Sequence, residues 1–162
     1  MAKKSQVPSI PTPPPKKEPK DIARIHKLAD EVVATLGAGH TESVYHNAMK
    51  VGLQDEGYPY ETERDLPISF RGRYVGTVRA DIIVDKKIVI ELKSSLAGSD
   101  TAVSDAIEQC KIYMKETKIS IGVVIVFPKR ENGILAFKWF STAEEDEEEE
   151  EIEEVEVEEE DE

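Results

Sequence analysis

The sequence predicts an α/β fold, a mixed sheet flanked by helices in the order helix, three-strand meander, helix, two strands. Three observations predict it. Apolar residues recur at helical spacing in stretches that begin near residues 22 and 102. Between and after them lie β-branched runs, "VRADIIVDKKIVIELK" and "SIGVVIVF", separated by turn-forming residues. The second run is apolar almost throughout, as in a strand buried on both faces.

Taken in order, residues 1–20 are rich in proline and lysine and too poor in apolar surface to fold, so a disordered leader is expected. The folded domain is expected over 21–141. In "DIARIHKLADEVVATLG", Ile22, Ile25, Ala29, Val32, Val33 and Leu36 follow helical spacing, and Gly37 and Gly39 break it. A helix resumes in "TESVYHNAMKVGLQDEG", with Val44, Tyr45, Ala48, Met49 and Gly52 on one face and Gly57 as the stop. "ERDLPISF", the turn at Arg71 and Gly72, and "RYVGTVRADIIVD" read as a hairpin, with Pro67 keeping the first strand near an edge. "KKIVIELK" is a third strand. "SDTAVSDAIEQCKIYMKET" is a capped helix, apolar at Ala102, Val103, Ala106, Ile107, Cys110, Tyr113 and Met114. "SIGVVIVF" is the next strand, and "PKRENG" turns into a last one, "ILAFKWF". Residues 142–162 are nearly all acidic and repel one another, so a disordered tail is expected.

The formal charge of -13 belongs mostly to that tail, because residues 144–162 hold 16 of the 34 acids and no base. Residues 21–143 carry 16 bases and 17 acids, so the body is nearly neutral and its net charge decides nothing about nucleic acid. With Cys110 alone, no intrachain disulfide can form, and its apolar helical neighbours make it a small core hydrophobe. No apolar run approaches the roughly 18 residues of a membrane span, and the lysine- and proline-rich start lacks a signal peptide's apolar segment, so none is expected. A soluble intracellular protein is expected, with nucleus and cytoplasm not distinguished.

The chemistry is concentrated in the hairpin, where Asp81, Glu91 and Lys93 sit among the most apolar strands. Side chains alternate along a strand, so Glu91 and Lys93 share one face and Ile90 and Leu92 the other. If residues 85–87 form a three-residue turn, Val84 lies opposite Ile88 and Asp81 opposite Glu91. A two-residue turn would separate the acids. Adjacent carboxylates repel unless a proton, a lysine or a cation intervenes, and a hard ion such as Mg²⁺ takes oxygen ligands of this kind. The alternative is an Asp–Lys–Glu ion-pair cluster with no metal.

Asp81 followed by Glu91-Leu92-Lys93 resembles the D…(D/E)xK signature of the PD-(D/E)XK nuclease superfamily, and the order of elements is similar to its restriction-endonuclease-like αβββαββ core. Gly39, Glu42 and Tyr45 in "GHTESVY", the run "GYPYETERDLPISFRGRYVG", and Gln109 with Tyr113 resemble, more narrowly, the GxxExxY protein family. The likeness covers about residues 22–140. It implies that Asp81 and Glu91 bind Mg²⁺ (or Mn²⁺), with the Leu92 carbonyl as a further ligand and Glu42 holding the ion directly or through water. It implies that Lys93 is the catalytic lysine, supported by Gln109, Tyr113 and Tyr45.

Each supporting residue has a plainer reading. Glu42 suits any helix's first turn, Tyr113 any amphipathic face, Gln109 a structural hydrogen bond, and His40 an exposed loop. His26 and His46 show no metal-ligand spacing. Candidate nucleic-acid contacts are Arg71, Arg73, Arg79 and His40.

The leading expectation is a Mg²⁺-dependent endonuclease acting on DNA, ahead of RNA. The alternatives are a catalytically silent nuclease-fold module that binds nucleic acid or protein, and an adaptor whose acidic tail engages basic partners such as histones. No membrane partner is expected, and a homodimer is compatible, because small nuclease domains commonly pair to cut two strands.

Overall fold

The computed structural model describes residues 18–95 and 100–142. The expected leader and acidic tail lie outside them, apart from Glu18, Pro19, Lys20 and Thr142. The elements are α1 (Lys20–Leu36), α2 (Glu42–Asp55), β1 (Tyr60–Phe70), β2 (Arg73–Val84), β3 (Ile88–Ser95), α3 (Asp100–Thr117), β4 (Ile121–Pro128) and β5 (Ala136–Ser141). One sheet runs β1-β2-β3-β4-β5. β3 and β4 are parallel, joined by α3, and every other neighbouring pair is antiparallel. This is the predicted mixed α/β architecture. Its first helical region is two helices, broken between Gly37 and Thr41.

Helices cover both faces. On one, Ile22, Ile25, Leu28, Ala29 and Val32 of α1 and Tyr45, Met49 and Leu53 of α2 pack on Ile82, Val84, Ile90, Leu92, Val123, Ile125 and Phe127. On the other, Ala106, Cys110, Tyr113 and Met114 of α3 pack on Ile83, Val89, Val124 and Val126. β4 therefore alternates between two apolar environments, which is why it is apolar at nearly every position. Val44, expected on the α2 face, is instead exposed, because the buried stripe follows Tyr45, Met49 and Leu53 at intervals of four. The last strand begins at Ala136, later than expected, and Ile134 is left 80% exposed beside the turn that the Gly133 N–H closes on the Arg130 carbonyl.

β1 is an edge strand, which accommodates Pro67. Its hairpin with β2 turns at Arg71 (φ 50°) and Gly72 (φ 74°). Two central residues at positive φ match the twist of the flanking strands, and glycine takes that conformation at little cost. β2 pairs with β1 along its length but with β3 only from Ile82 to Val84. Beyond Ala80 the hairpin continues as a two-stranded arm, outside the three-strand region.

Candidate metal and catalytic site

Residues 85–87 make the three-residue turn, closed by the Lys87 N–H on the Val84 carbonyl at 2.9 Å. It sets Val84 opposite Ile88 and Ile82 opposite Ile90. Carried one step outward, that register puts Asp81 opposite Glu91, where the ladder stops. The Leu92 N–H bonds instead to Asp81 Oδ2 at 2.9 Å.

The β1 side is interrupted at the same level. Pairing passes from Thr62–Ile82 to Arg64–Ala80, and the intervening Glu63 has φ 51°. The alternation of faces also slips here, since Ile82 packs under α1 and α2 while Ala80 packs under α3. His46 of α2 lies with Nε2 at 3.2 Å from the Asp81 carbonyl. A carbonyl only accepts, so the imidazole is the donor. Asp81 is thus held at its carboxylate by β3 and at its backbone by α2.

Glu91 is the only buried charged side chain among the described residues, at 1% exposure. Its Oε1 pairs with Lys93 Nζ at 3.1 Å, while its Oε2 is buried without a hydrogen-bond partner. Burial first, then the charge of Asp81, pushes the Glu91 carboxyl up to about 8, against the opposing pull of Lys93. Desolvation works to lower the Lys93 pKa, but its bond to Glu91 and the charges of Glu91, Glu42 and Asp81 overcome it and raise the value. Lys93 is the partly exposed member of the group, with a third of its side chain accessible.

α3 roofs this cluster. Gln109 Nε2 donates to the Tyr113 hydroxyl at 2.6 Å, and burial with the Glu91 charge pushes that phenol up to about 12. Cys110, between them, is also pushed up to about 12, mainly by burial, which makes it an inert thiol.

The loop between α1 and α2 shows what Gly39, Glu42 and Tyr45 do together. Tyr45 is fully buried and stacked on Phe127 at 4.3 Å, and its hydroxyl donates to the Gly37 carbonyl at 2.8 Å while accepting the His40 N–H at 3.3 Å. Gly39 donates its N–H to the Pro128 carbonyl, and a Cβ there would stand 3.3 Å from the Lys129 carbonyl at φ 89°. Ser94 Oγ reaches the His40 carbonyl at 3.4 Å. The loop is therefore pinned against the carboxyl ends of β3 and β4, which places the first residue of α2, Glu42, where its charge acts on Lys93.

The expected site residues fall into two groups. Asp81, Glu91, Lys93, Gln109 and Tyr113 converge, with Tyr45 buttressing the loop that carries Glu42. Among the described residues, no three His, Cys, Asp or Glu side chains gather as a metal cage. Leu92 meets Asp81 through its amide.

The expected nucleic-acid contacts are spread along the hairpin and the α1–α2 loop. Arg71 sits over the Phe70 ring at 5.3 Å and Arg73 is exposed, both at the arm's tip, on the order of 25 Å from Asp81 at strand rise. Arg79 is bonded to Asp65 across the ladder at 2.7 Å, an interaction that holds the Asp65 carboxyl below its usual range. His40 lies with Nε2 at 2.9 Å from the Leu36 carbonyl, capping α1. His46 was not singled out by sequence. Its position four residues after Glu42, on the same helix face, is the signal that could have found it.

The donor set fits a divalent ion. Two hard carboxylates face one another, and one carries a buried oxygen with no hydrogen-bond partner. A mixed, helix-flanked sheet with one acid on a hairpin strand and Glu-x-Lys on the next defines a nuclease-type α/β domain. The chain belongs to the PD-(D/E)XK nuclease superfamily, whose family model matches residues 20–136. The solved crystal structure of SSO0001 is similar at 24% identity with a TM-score of 0.49, over 74% of this chain and 61% of that one. The chain thus spans less than two thirds of that structure. No curated protein matches. No helix among the described residues is long and apolar enough to cross a membrane.

Proposed function

We propose that the protein is a divalent-metal-dependent nuclease, using Mg²⁺ (or Mn²⁺) to hydrolyse phosphodiester bonds in nucleic acid, DNA ahead of RNA. One observation carries the reading: Glu91 keeps Oε2 buried and unpartnered opposite Asp81 while Lys93 occupies only Oε1. A buried carboxylate oxygen without a partner is costly, and a divalent ion between the two acids would relieve that cost.

Asp81 and Glu91 would hold the ion, with the Leu92 carbonyl as the adjacent backbone donor. When bound, the ion supplies Lewis-acid activation of a phosphate oxygen and of water. Lys93 stays protonated through Glu91 and Glu42, and its ammonium donates to the attacking water or to charge developing on the phosphate. Glu42 would hold the ion directly or through water. Gln109 and Tyr113 close the α3 side and fix the dielectric around Glu91. Arg71 and Arg73, on an arm clear of the core, contact the phosphate backbone at a distance from the scissile bond. Gly39, Glu42, Tyr45, Gln109 and Tyr113 support the narrower assignment to the GxxExxY family.

The test combines thermal melts and a cleavage assay on wild type, Asp81→Asn and Lys93→Met, each with Mg²⁺, Mn²⁺ or EDTA. The proposal expects the ion to stabilise wild type and Lys93→Met, not Asp81→Asn, and cleavage to require all three groups. An ion-indifferent wild type, with Lys93→Met destabilised, would establish the ion-pair cluster instead.

A further inference from the structure

At the end of the sheet where β4 begins and β5 ends, the carboxyl end of α3 borders an open cavity of about 440 Å³. It is lined by Lys111, Lys115 and Lys118, with Met114 and Ile119 as its apolar part and Ser120 and Thr142 at the mouth. Lys111 and Lys115 lie one turn apart on α3, and Lys118 follows just past its end at φ 57°, so the end of the helix gathers all of them. Lys115 and Lys118 are exposed and take no acid partner among the described residues. The carboxyl end of α3 offsets only about half a charge, so the rim remains cationic.

The chain leaves the sheet at this point. The Thr142 N–H bonds to the Ser120 carbonyl at 2.9 Å, and Glu144 and Glu145 come directly after Ala143. Residues 144–162 contain 16 acids and no base. A tether this short keeps its own acids near the lysines at an effective concentration on the order of mM. No other segment of the sequence offers comparable charge complementarity to the rim. We propose that this cavity is the docking site of the chain's own acidic segment, residues 144–162, with Lys115 and Lys118 as its principal contacts. Exposed pairs are individually weak, so docking depends on many acids sampling a few lysines and is sensitive to salt.

The inference does not depend on nuclease activity. It is tested on the full chain carrying Glu158→Cys with a nitroxide label. The thiol of Cys110 is buried and unreactive, so the new cysteine is labelled selectively. Amide line broadening is read in three backgrounds: otherwise wild type, Lys115→Glu with Lys118→Glu, and Lys115→Gln with Lys118→Gln. Docking predicts strong broadening over Lys115–Ser120 at low salt, lost at 1 M salt, where the screening length is about 3 Å. Charge reversal should abolish it and neutralisation should weaken it. Unchanged broadening in the charge-reversed chain would overturn the proposal, as would broadening centred on Phe70–Tyr74 at the hairpin tip.

Discussion

The two halves of β2 share a strand and a partner, yet their side chains are inverted relative to their surroundings. The inner half, from Ala80 to Val84, has β3 beside it and helices over both faces, and there the chain places Asp81 against Glu91. The outer half, from Arg73 to Thr77, has only β1 beside it, and there the hairpin leaves Phe70, Tyr74 and Val75 exposed at 64%, 66% and 60%. Burial alone would favour the opposite arrangement, because buried charge is expensive and exposed aromatics gain nothing from water. Departures from local rules concentrate where function requires them. Under the proposed function, the inner inversion would hold an ion and the outer one would offer a surface to nucleic acid.

The largest effects should come from removing the inner charges. Asp81→Ala or Glu91→Ala is expected to abolish both cleavage and stabilisation by divalent ions, measured by single-turnover assay and thermal melt. Lys93→Met should keep ion binding and slow cleavage by about 10²–10³-fold, the scale of losing one preorganised charge stabiliser.

Next in size is the pH response of the ion-free protein. The folded Glu91 carboxyl, raised to about 8, keeps a proton that the unfolded chain gives up near the ordinary value of 4.5. Unfolding between those values releases that proton. Stability should therefore be greatest below about 4.5 as far as this group is concerned, and should be lost as pH rises through about 8. Melts in EDTA across that window should show the decline in wild type and a flatter profile in Glu91→Gln. Saturating Mn²⁺ should flatten it as well, because the ion takes the proton's place.

A smaller effect is expected from the support on α2. His46→Ala removes the donor to the Asp81 carbonyl and should weaken Mn²⁺ affinity about tenfold, the lower end for groups that orient metal ligands. His46→Gln retains an N–H donor and should recover part of the loss. Equal affinities for wild type and His46→Ala would show that the strand interruption at Asp81 holds without α2.

The arm should respond in binding and not in stability. Arg71→Ala with Arg73→Ala is expected to lower nucleic-acid affinity and to reduce the salt dependence by about one unit of slope per lost phosphate contact. The melting temperature should barely move, since exposed substitutions of this kind stay within about 0.5 kcal/mol. Arg79→Ala should do least of all, because Asp65 already occupies its guanidinium. A loss of binding in Arg79→Ala equal to that of the tip arginines would erase the distinction between free and paired cations on the hairpin.

The sequence by itself determined the elements and the identity of the central charged group. Helices and strands follow from periodicities that each segment carries locally, whereas the length of the turn after Val84, left open by the sequence, was decided by the structure and opposes Asp81 to Glu91. The same patterns put both faces of β4 in apolar surroundings before any contact was known. Tertiary structure alone decided where pairing stops. Neither the lapse of both ladders at Asp81 nor the slip of its faces is written in a local pattern, because each depends on where neighbouring strands end. His46 reaches Asp81 across 35 residues, and the Tyr45 hydroxyl binds a loop that only the packing on Phe127 brings within reach. Sequence patterns report which face a residue prefers. The partner of a buried oxygen, or its lack of one at Glu91 Oε2, is set by the meeting of segments whose separation in the chain carries no such signal.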